Sequence, residues 1–159
     1  MSAGLLTDEL VNRVKEGNFN FYLANYANCD MVGHTGNLQS AIKAVEFLDA
    51  CLKKLLDACL ALDAALLITA DHGNIEQMIN QKTGDIDKDH TTNPVPLFIV
   101  SNELKFPQPK DLRFVSLAAE TPVGCLSDIA PTILDLFGLP KPPEMTGVNL
   151  LEEKDELNK

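Results

Sequence analysis

A helix followed directly by an apolar strand is predicted by residues 38–74, which read LQSAIKAVEFLDACLKKLLDACLALDAALLITADHGN. In residues 38–61, apolar side chains recur at steps of three and four, as in an amphipathic helix that packs one face on a sheet. Residues 64–70 are almost wholly apolar, which suits a central parallel strand covered on both faces. The helical stripe consists of Leu38, Ile42, Val45, Leu48, Leu52, Leu55, Leu56 and Cys59.

Towards the N-terminus, the sequence predicts a short helix and a strand. Residues 7–16 read as the helix, with Thr7 as its N-cap and Gly17 as its end. Residues 19–27, FNFYLANYA, are rich in aromatic and aliphatic side chains and predict the strand. A polar stretch follows at residues 28–36.

Towards the C-terminus, two further strands and a helix are predicted. Residues 97–101 and 113–117 are the candidate strands. Residues 127–137 read as a helix that Ser127 caps and Gly138 ends.

This succession of elements predicts an α/β fold with a mostly parallel sheet flanked by helices. We expect one partial domain over residues 1–151 and a solvated tail over residues 152–159. Ligands of such sheets gather at the carboxyl ends of the strands. The two clusters that combine aspartate and histidine follow predicted strands, so they fall where a ligand site is expected.

Composition excludes several classes of function. The chain has 159 residues and a formal net charge of −10, with no cluster of Lys and Arg that could neutralise nucleic-acid phosphates. It has no apolar run of about 18 residues for a membrane span, and no secretory signal is recognisable. The four cysteines form no CxxC pair, so a zinc-thiolate site is not expected. Their scattered positions fit a protein of the reducing cytoplasm. Binding an anionic substrate would need positive charge from divalent cations or from a partner domain.

The three histidines all fall in predicted loops beside aspartates. His34 lies four residues after Asp30, so both side chains can lie on one side of a helical turn and reach one ion. Carboxylate and imidazole together suit Mn²⁺, Zn²⁺ or Fe²⁺ better than Ca²⁺, with manganese the first expectation. Two such ions can orient a phosphate and offset its charge. The predicted metal ligands are Asp30, His34, Asp71, His72 and His90.

Simpler interpretations exist for each of these residues. A single histidine at a strand end is more often a hydrogen-bonded surface residue, and the acidic run 85–89 is typical of a solvated loop, so it is excluded from the ligand set. No serine is a convincing nucleophile, so no catalytic residue is predicted. Four threonines could donate hydrogen bonds to the ligands or could be plain strand and turn residues: Thr35, Thr69, Thr91 and Thr92.

Five motifs together carry a family resemblance. They are 25–36 NYANCDMVGHTG, 68–74 ITADHGN, 90–96 HTTNPVP, 127–134 SDIAPTIL and 143–147 PEMTG. In this order, the motifs resemble the cofactor-independent (2,3-bisphosphoglycerate-independent) phosphoglycerate mutases of the alkaline phosphatase superfamily. The resemblance runs from about residue 2 to about residue 150.

The resemblance implies a glycolytic isomerase that interconverts 3-phosphoglycerate and 2-phosphoglycerate through a phosphoserine at a two-manganese site. Asp30, His34 and His90 would hold one manganese, and Asp71 and His72 would hold the second. Mg²⁺, Zn²⁺ or Co²⁺ are possible substitutes. The implied fold is that of alkaline phosphatase, lacking its N-terminal strands and the inserted transferase domain.

The family's nucleophilic serine, a further metal-binding aspartate, a lysine near the phosphate and the transferase domain have no counterpart here. We therefore expect a C-terminal portion of such an enzyme, whose partners are phosphoglycerate and the missing N-terminal segment, and which is inactive alone. Neither nucleic acid nor membrane is an expected partner, and oligomeric state is left open. Two alternatives remain: another metallophosphatase or phosphopentomutase of the superfamily, and a non-catalytic metal-binding remnant.

Overall fold

The computed structural model describes residues 2–80, 82–104 and 121–151. It has an α/β composition, as predicted, and its chain divides into two compact units, residues 1–118 and 119–159. The elements of the first unit are α1 (Ala3–Glu16), α2 (Asn28–Gly33), α3 (Leu38–Ala61), β1 (Leu66–Thr69) and β2 (Leu97–Val100). Those of the second are a 3-10 helix (Leu126–Asp128) and α4 (Ile129–Leu136). No helix in these described ranges is long and apolar enough to cross a bilayer.

Helix α1 begins at Ala3, so the prediction of Thr7 as its N-cap is wrong. Thr7 lies inside the helix and is only 1% exposed. Its hydroxyl donates to the Ala3 carbonyl (2.8 Å) and shares a hydrogen bond with the Tyr26 hydroxyl (2.9 Å). A buried threonine that bonds the carbonyl four residues earlier does not need to cap. Gly17 ends the helix as predicted, with φ of 66°.

Helix α3 has the predicted bounds, Leu38–Ala61, and begins at Asn37, whose side chain accepts from the Ser40 N–H (2.9 Å). Its most buried residues include Ala41 and Leu55, whereas Leu38 is 53% exposed. The helix packs mainly on α1 and α2 rather than on the strands. The first turns of the predicted apolar stripe are therefore open at the surface of the described residues.

Strands β1 and β2 pair with each other in the antiparallel direction, with Leu66 opposite Val100 and Thr69 opposite Leu97. The prediction of a parallel central strand is therefore wrong for this pair. An apolar run indicates that a strand is buried, but it does not determine the direction in which the strand pairs. In the described structure β1 is only half-buried.

The predicted strand at residues 19–27 is wrong for the described structure, which forms no β-ladder there. Phe19 and Leu23 are 66% and 85% exposed. The segment is tied to the end of α1, because the Tyr22 hydroxyl donates to the Arg13 carbonyl (2.8 Å). Apolar composition favours a strand, but a strand exists only where a partner pairs with it.

In the second unit, Ser127 lies within the 3-10 helix, so it is not the predicted cap. Asp128 organises this turn by accepting hydrogen bonds from the backbone N–H groups of Cys125 (2.6 Å) and Val148 (2.9 Å). Gly138, with φ of 64°, ends α4 as predicted. The predicted strand at 113–117 and the tail at 152–159 lie outside the described residues.

Candidate metal centre

Three predicted ligands converge on one point. The Nε2 atom of His90 lies 3.0 Å from Asp30 Oδ1 and 3.2 Å from His34 Nε2, and the third side of this triangle, from His34 Nε2 to Asp30 Oδ1, is 3.2 Å. These residues form a group that could hold a metal ion. All three side chains are partly exposed, so the point between them is open to solvent.

Local structure brings Asp30 and His34 together. Asp30 lies in α2, and His34 follows its last residue in helical conformation, with its N–H donating to the Asp30 carbonyl (3.1 Å). The predicted i, i+4 geometry is thus confirmed. In a helical turn the two side chains project from the same face.

His90 arrives from a loop far along the chain. The next residue, Thr91, forms an isolated antiparallel bridge with Gly73, in which the Thr91 N–H donates to the Gly73 carbonyl (2.8 Å). This bridge joins the loop of His90 to the corner that follows β1. The imidazole of His90 stacks on that of His72, with ring centroids 3.7 Å apart.

A backbone carbonyl orients the imidazole of His34. Its Nδ1 lies 2.5 Å from the Lys88 carbonyl oxygen, which can only accept a hydrogen bond. Nδ1 therefore carries a proton, and Nε2 is the ring atom that faces Asp30 and His90. A second hydrogen bond of this kind is the usual means by which proteins orient a metal-binding imidazole.

Asn74 is a residue of the centre that the sequence analysis missed. It is 6% exposed, and its amide nitrogen donates to Asp30 Oδ1 (3.2 Å). The same nitrogen lies 3.5 Å from His34 Nε2. Asn74 thus lies against two of the three converging residues and holds the Asp30 carboxylate in place. Its position directly after the Asp71-His72-Gly73 corner was the available signal.

Glu76 is a second residue that was missed. One of its carboxylate oxygens accepts from the Thr91 hydroxyl and from the Asn93 amide (3.0 Å), and the other accepts from the Asn74 N–H (2.6 Å). Burial raises the pKa of the Glu76 carboxyl, but the hydrogen bonds from Thr91, Asn93 and the backbone outweigh it and hold that pKa below its usual value. No feature of the sequence distinguished this glutamate from a surface residue.

The other two predicted ligands, Asp71 and His72, lie at the corner after β1. Their nearest ligand atoms, Asp71 Oδ1 and His72 Nε2, are 3.6 Å apart, and the Asp71 side chain is 86% exposed. Stacking on His90 brings His72 beside the triangle. Two side chains are fewer than the three protein ligands typical of a catalytic zinc site, so this pair alone is an incomplete set.

The predicted threonine donors behave differently from one another. Thr91 donates to Glu76, whereas Thr35 donates to the Val32 carbonyl (2.6 Å) and Thr69 to the Ala70 carbonyl (3.4 Å). None of these three donates directly to a predicted ligand in the contacts of the described residues. The acidic run 85–89 is absent from the converging group of the described residues.

The chain is similar in sequence to a known protein superfamily and to known enzymes. A model of the metalloenzyme superfamily matches residues 1–141. The 2,3-bisphosphoglycerate-independent phosphoglycerate mutase of Rhodopirellula baltica is 49% identical over 152 residues, which are 96% of this chain and 26% of that relative. The enzyme of the same name from Clostridium acetobutylicum is 48% identical over 152 residues, 96% of this chain and 28% of that relative.

A solved structure agrees with these relatives. Leishmania mexicana phosphoglycerate mutase, crystallised at low cobalt concentration, matches with a TM-score of 0.71 and 31% identity over 92% of this chain and 27% of that one. The resemblance drawn from the motifs is confirmed, and the chain spans 26–28% of the length of the two curated relatives. Because the superfamily model covers most of its length, the chain belongs to the metalloenzyme superfamily.

Proposed function

We propose that this chain supplies the metal-binding part of a phosphoglycerate mutase that interconverts 3-phosphoglycerate and 2-phosphoglycerate. The observation that carries the proposal is the convergence of Asp30 Oδ1, His34 Nε2 and His90 Nε2 at mutual distances of 3.0–3.2 Å. The Lys88 carbonyl lies against Nδ1 of His34, so Nε2 is the ring atom that faces the Asp30 carboxylate oxygen.

The triangle fits a divalent ion. An ion about 2.1 Å from each ligand atom, with those atoms at right angles, leaves them about 3 Å apart. The group combines one carboxylate and two imidazoles, a set that suits Mn²⁺ and related transition metals. We assign Asp30, His34 and His90 to one manganese, and Asp71 and His72 to a second whose remaining ligands come from outside this chain.

Phosphoryl transfer is the chemistry that this arrangement supports. Bound manganese would offset the negative charge of a phosphate and orient it for in-line transfer. The residues of this chain hold donor atoms in place: α2 fixes Asp30 and His34, and the bridge at Thr91 fixes His90. The remaining length of the enzyme would supply the serine that accepts the phosphate, and it would also supply the groups that bind glycerate. We expect the enzyme to act in the cytoplasm.

Metal content is the first test of this proposal. The purified chain should retain about one manganese or more after equilibration with Mn²⁺ and desalting, as measured by elemental mass spectrometry. His34→Ala should lower that content, since it removes one corner of the triangle. Asp49→Ala, which removes an exposed carboxylate from α3, is the matched control and should not. Equal manganese in all three proteins would contradict the ligand assignment.

The two ion sites can be distinguished by a pair of aspartate variants. Asp30→Ala removes one of three ligands from the first site, whereas Asp71→Ala removes one of two from the incomplete second site. Stoichiometric Mn²⁺ binding should therefore fall further in Asp30→Ala. Equal losses would count against the division of ligands between the sites.

Activity tests the remainder of the proposal. The isolated chain should show little mutase turnover, because the nucleophile and the groups that position the substrate supply most of the rate. Robust metal-dependent interconversion of the two phosphoglycerates by the 159-residue chain would refute this expectation.

A further inference from the structure

We propose that Glu76 is a positioning residue that sets the metal affinity of the centre without touching the ion. The inference rests on the proposed function, because it requires that Asp30, His34 and His90 bind a metal. Glu76 is outside the predicted ligand set. Its carboxylate joins the corner after β1, which contains Asn74, to the loop that contains His90 and Thr91.

Glu76 cannot serve as a ligand in its present arrangement. Both of its carboxylate oxygens are engaged by donors, Oε2 by the Asn74 N–H (2.6 Å), and Oε1 by the Asn93 amide (3.0 Å) and the Thr91 hydroxyl. Hydrogen bonds to an ionised carboxylate are stronger than those between neutral groups. The carboxylate therefore acts as a fixed anchor for the three residues that donate to it.

Two of the three donors, Thr91 and Asn74, lead to the metal centre by one further step. Thr91 follows His90 in the chain, so anchoring its side chain fixes the backbone that carries this imidazole. The Asn74 backbone is anchored by Glu76, and the Asn74 side chain donates to Asp30 Oδ1 (3.2 Å). One carboxylate thus holds His90 from one side and Asp30 from the other.

The packing around Gly73 shows that the hydrogen bond between Glu76 and Thr91 lies in a tightly packed site. A Cβ at this position would overlap both Thr91 Oγ1 and Glu76 Oε1, the two atoms of the hydroxyl–carboxylate hydrogen bond. Gly73 does not have a positive φ. A glycine is needed here because the hydrogen bond lies directly against its backbone, which leaves no room for a side chain.

The test is a Co²⁺ titration of the full chain, followed through the visible absorption of the bound ion. Band position and intensity report coordination geometry, which a purely structural role of Glu76 would not change. Glu76→Gln keeps the shape of the side chain but removes its charge and turns one acceptor into a donor. We expect Co²⁺ affinity about 10- to 100-fold weaker than in the wild type, with altered bands.

Matched controls separate positioning from general damage. Glu46→Gln makes the same chemical change at an exposed site on α3 and should bind Co²⁺ as the wild type does. Thr91→Val removes one donor to the anchor and should weaken binding, whereas Thr91→Ser keeps the hydroxyl and should restore it. Circular dichroism shows whether each variant is folded.

The outcomes are distinct. Glu76→Gln with an affinity within twofold of the wild type and unchanged bands would overturn the positioning role while leaving the proposed function intact. Should Glu76→Gln fail to fold, the Thr91 pair decides: equal affinities of Thr91→Val and Thr91→Ser overturn the role, and a weaker Thr91→Val supports it. A wild-type chain that binds no Co²⁺ overturns the metal centre itself, and the role of Glu76 with it.

Discussion

Gly33→Ala is a small change that should destabilise the packing around the candidate metal centre. Gly33 is the buried last residue of α2. A Cβ built there would overlap Asn74 Oδ1 and lie 2.8 Å from Asn74 Cγ. Asn74 is itself 6% exposed and donates to Asp30, so it has little space into which it can move.

Two opposing effects decide the magnitude. Alanine favours helix over glycine by about 1 kcal/mol in a helix interior, and by less at a terminal residue such as this one. Forcing an extra methyl into a packed site costs about 1–3 kcal/mol. Displacing the Asn74 amide also weakens a hydrogen bond to a charged carboxylate, which contributes about 1.5–3 kcal/mol. The overlap and the weakened hydrogen bond together should outweigh the helix gain, with a net loss of about 2–5 kcal/mol in the free energy of unfolding.

Urea titration of the metal-free chain measures this loss, and Gly4→Ala is the matched control. Gly4 lies in α1, and a Cβ there would come no closer than 3.5 Å to Phe47 Cζ, an ordinary van der Waals contact. That variant should gain about 0.5–1 kcal/mol from the reduced entropy of the unfolded chain. If Gly33→Ala proved as stable as Gly4→Ala, Asn74 could not be held against Gly33 as described.

Two further variants test the packing of each compact unit. Thr7→Val should lower the free energy of unfolding by about 1–2 kcal/mol in a urea titration, because it leaves the Tyr26 hydroxyl without its partner in α1; an unchanged midpoint would contradict this. Hydrogen bonds from the Cys125 and Val148 N–H groups lower the pKa of Asp128, so its ionised form stabilises the folded state fully above the ordinary aspartate pKa and loses that effect as pH falls through the folded value. Asp128→Asn should therefore be less stable than the wild type at pH 7, and the difference should shrink below about pH 4; a difference independent of pH would refute it.

Sequence reasoning succeeded where structure is local. The bounds of α3 follow from the period of its apolar residues, which lies within the segment itself. The pairing of Asp30 with His34 follows from one helical turn. Gly17 and Gly138 end their helices because positive φ is a property of a single residue.

Sequence reasoning failed where the outcome depends on a partner. The run at residues 19–27 has strand composition, but it lacks a pairing strand in the described part of the chain. Strand direction in β1 was not encoded by its apolar character, since parallel and antiparallel partners bury the same side chains. The arrival of His90 beside Asp30, 60 residues away, came from family resemblance rather than from spacing.

The net negative charge of this chain favours the binding of a divalent cation over the direct binding of an anionic substrate. Of its two arginines, Arg13 is engaged by Glu9 (2.8 Å) and Glu16 (3.1 Å) along α1, and Arg113 lies outside the described residues. The formal net charge of −10 repels phosphate at long range. Acidic surroundings have the opposite effect on divalent cations, which they attract. In the proposed function, a divalent ion bound by the carboxylate and the two imidazoles would supply the positive charge that a phosphate requires.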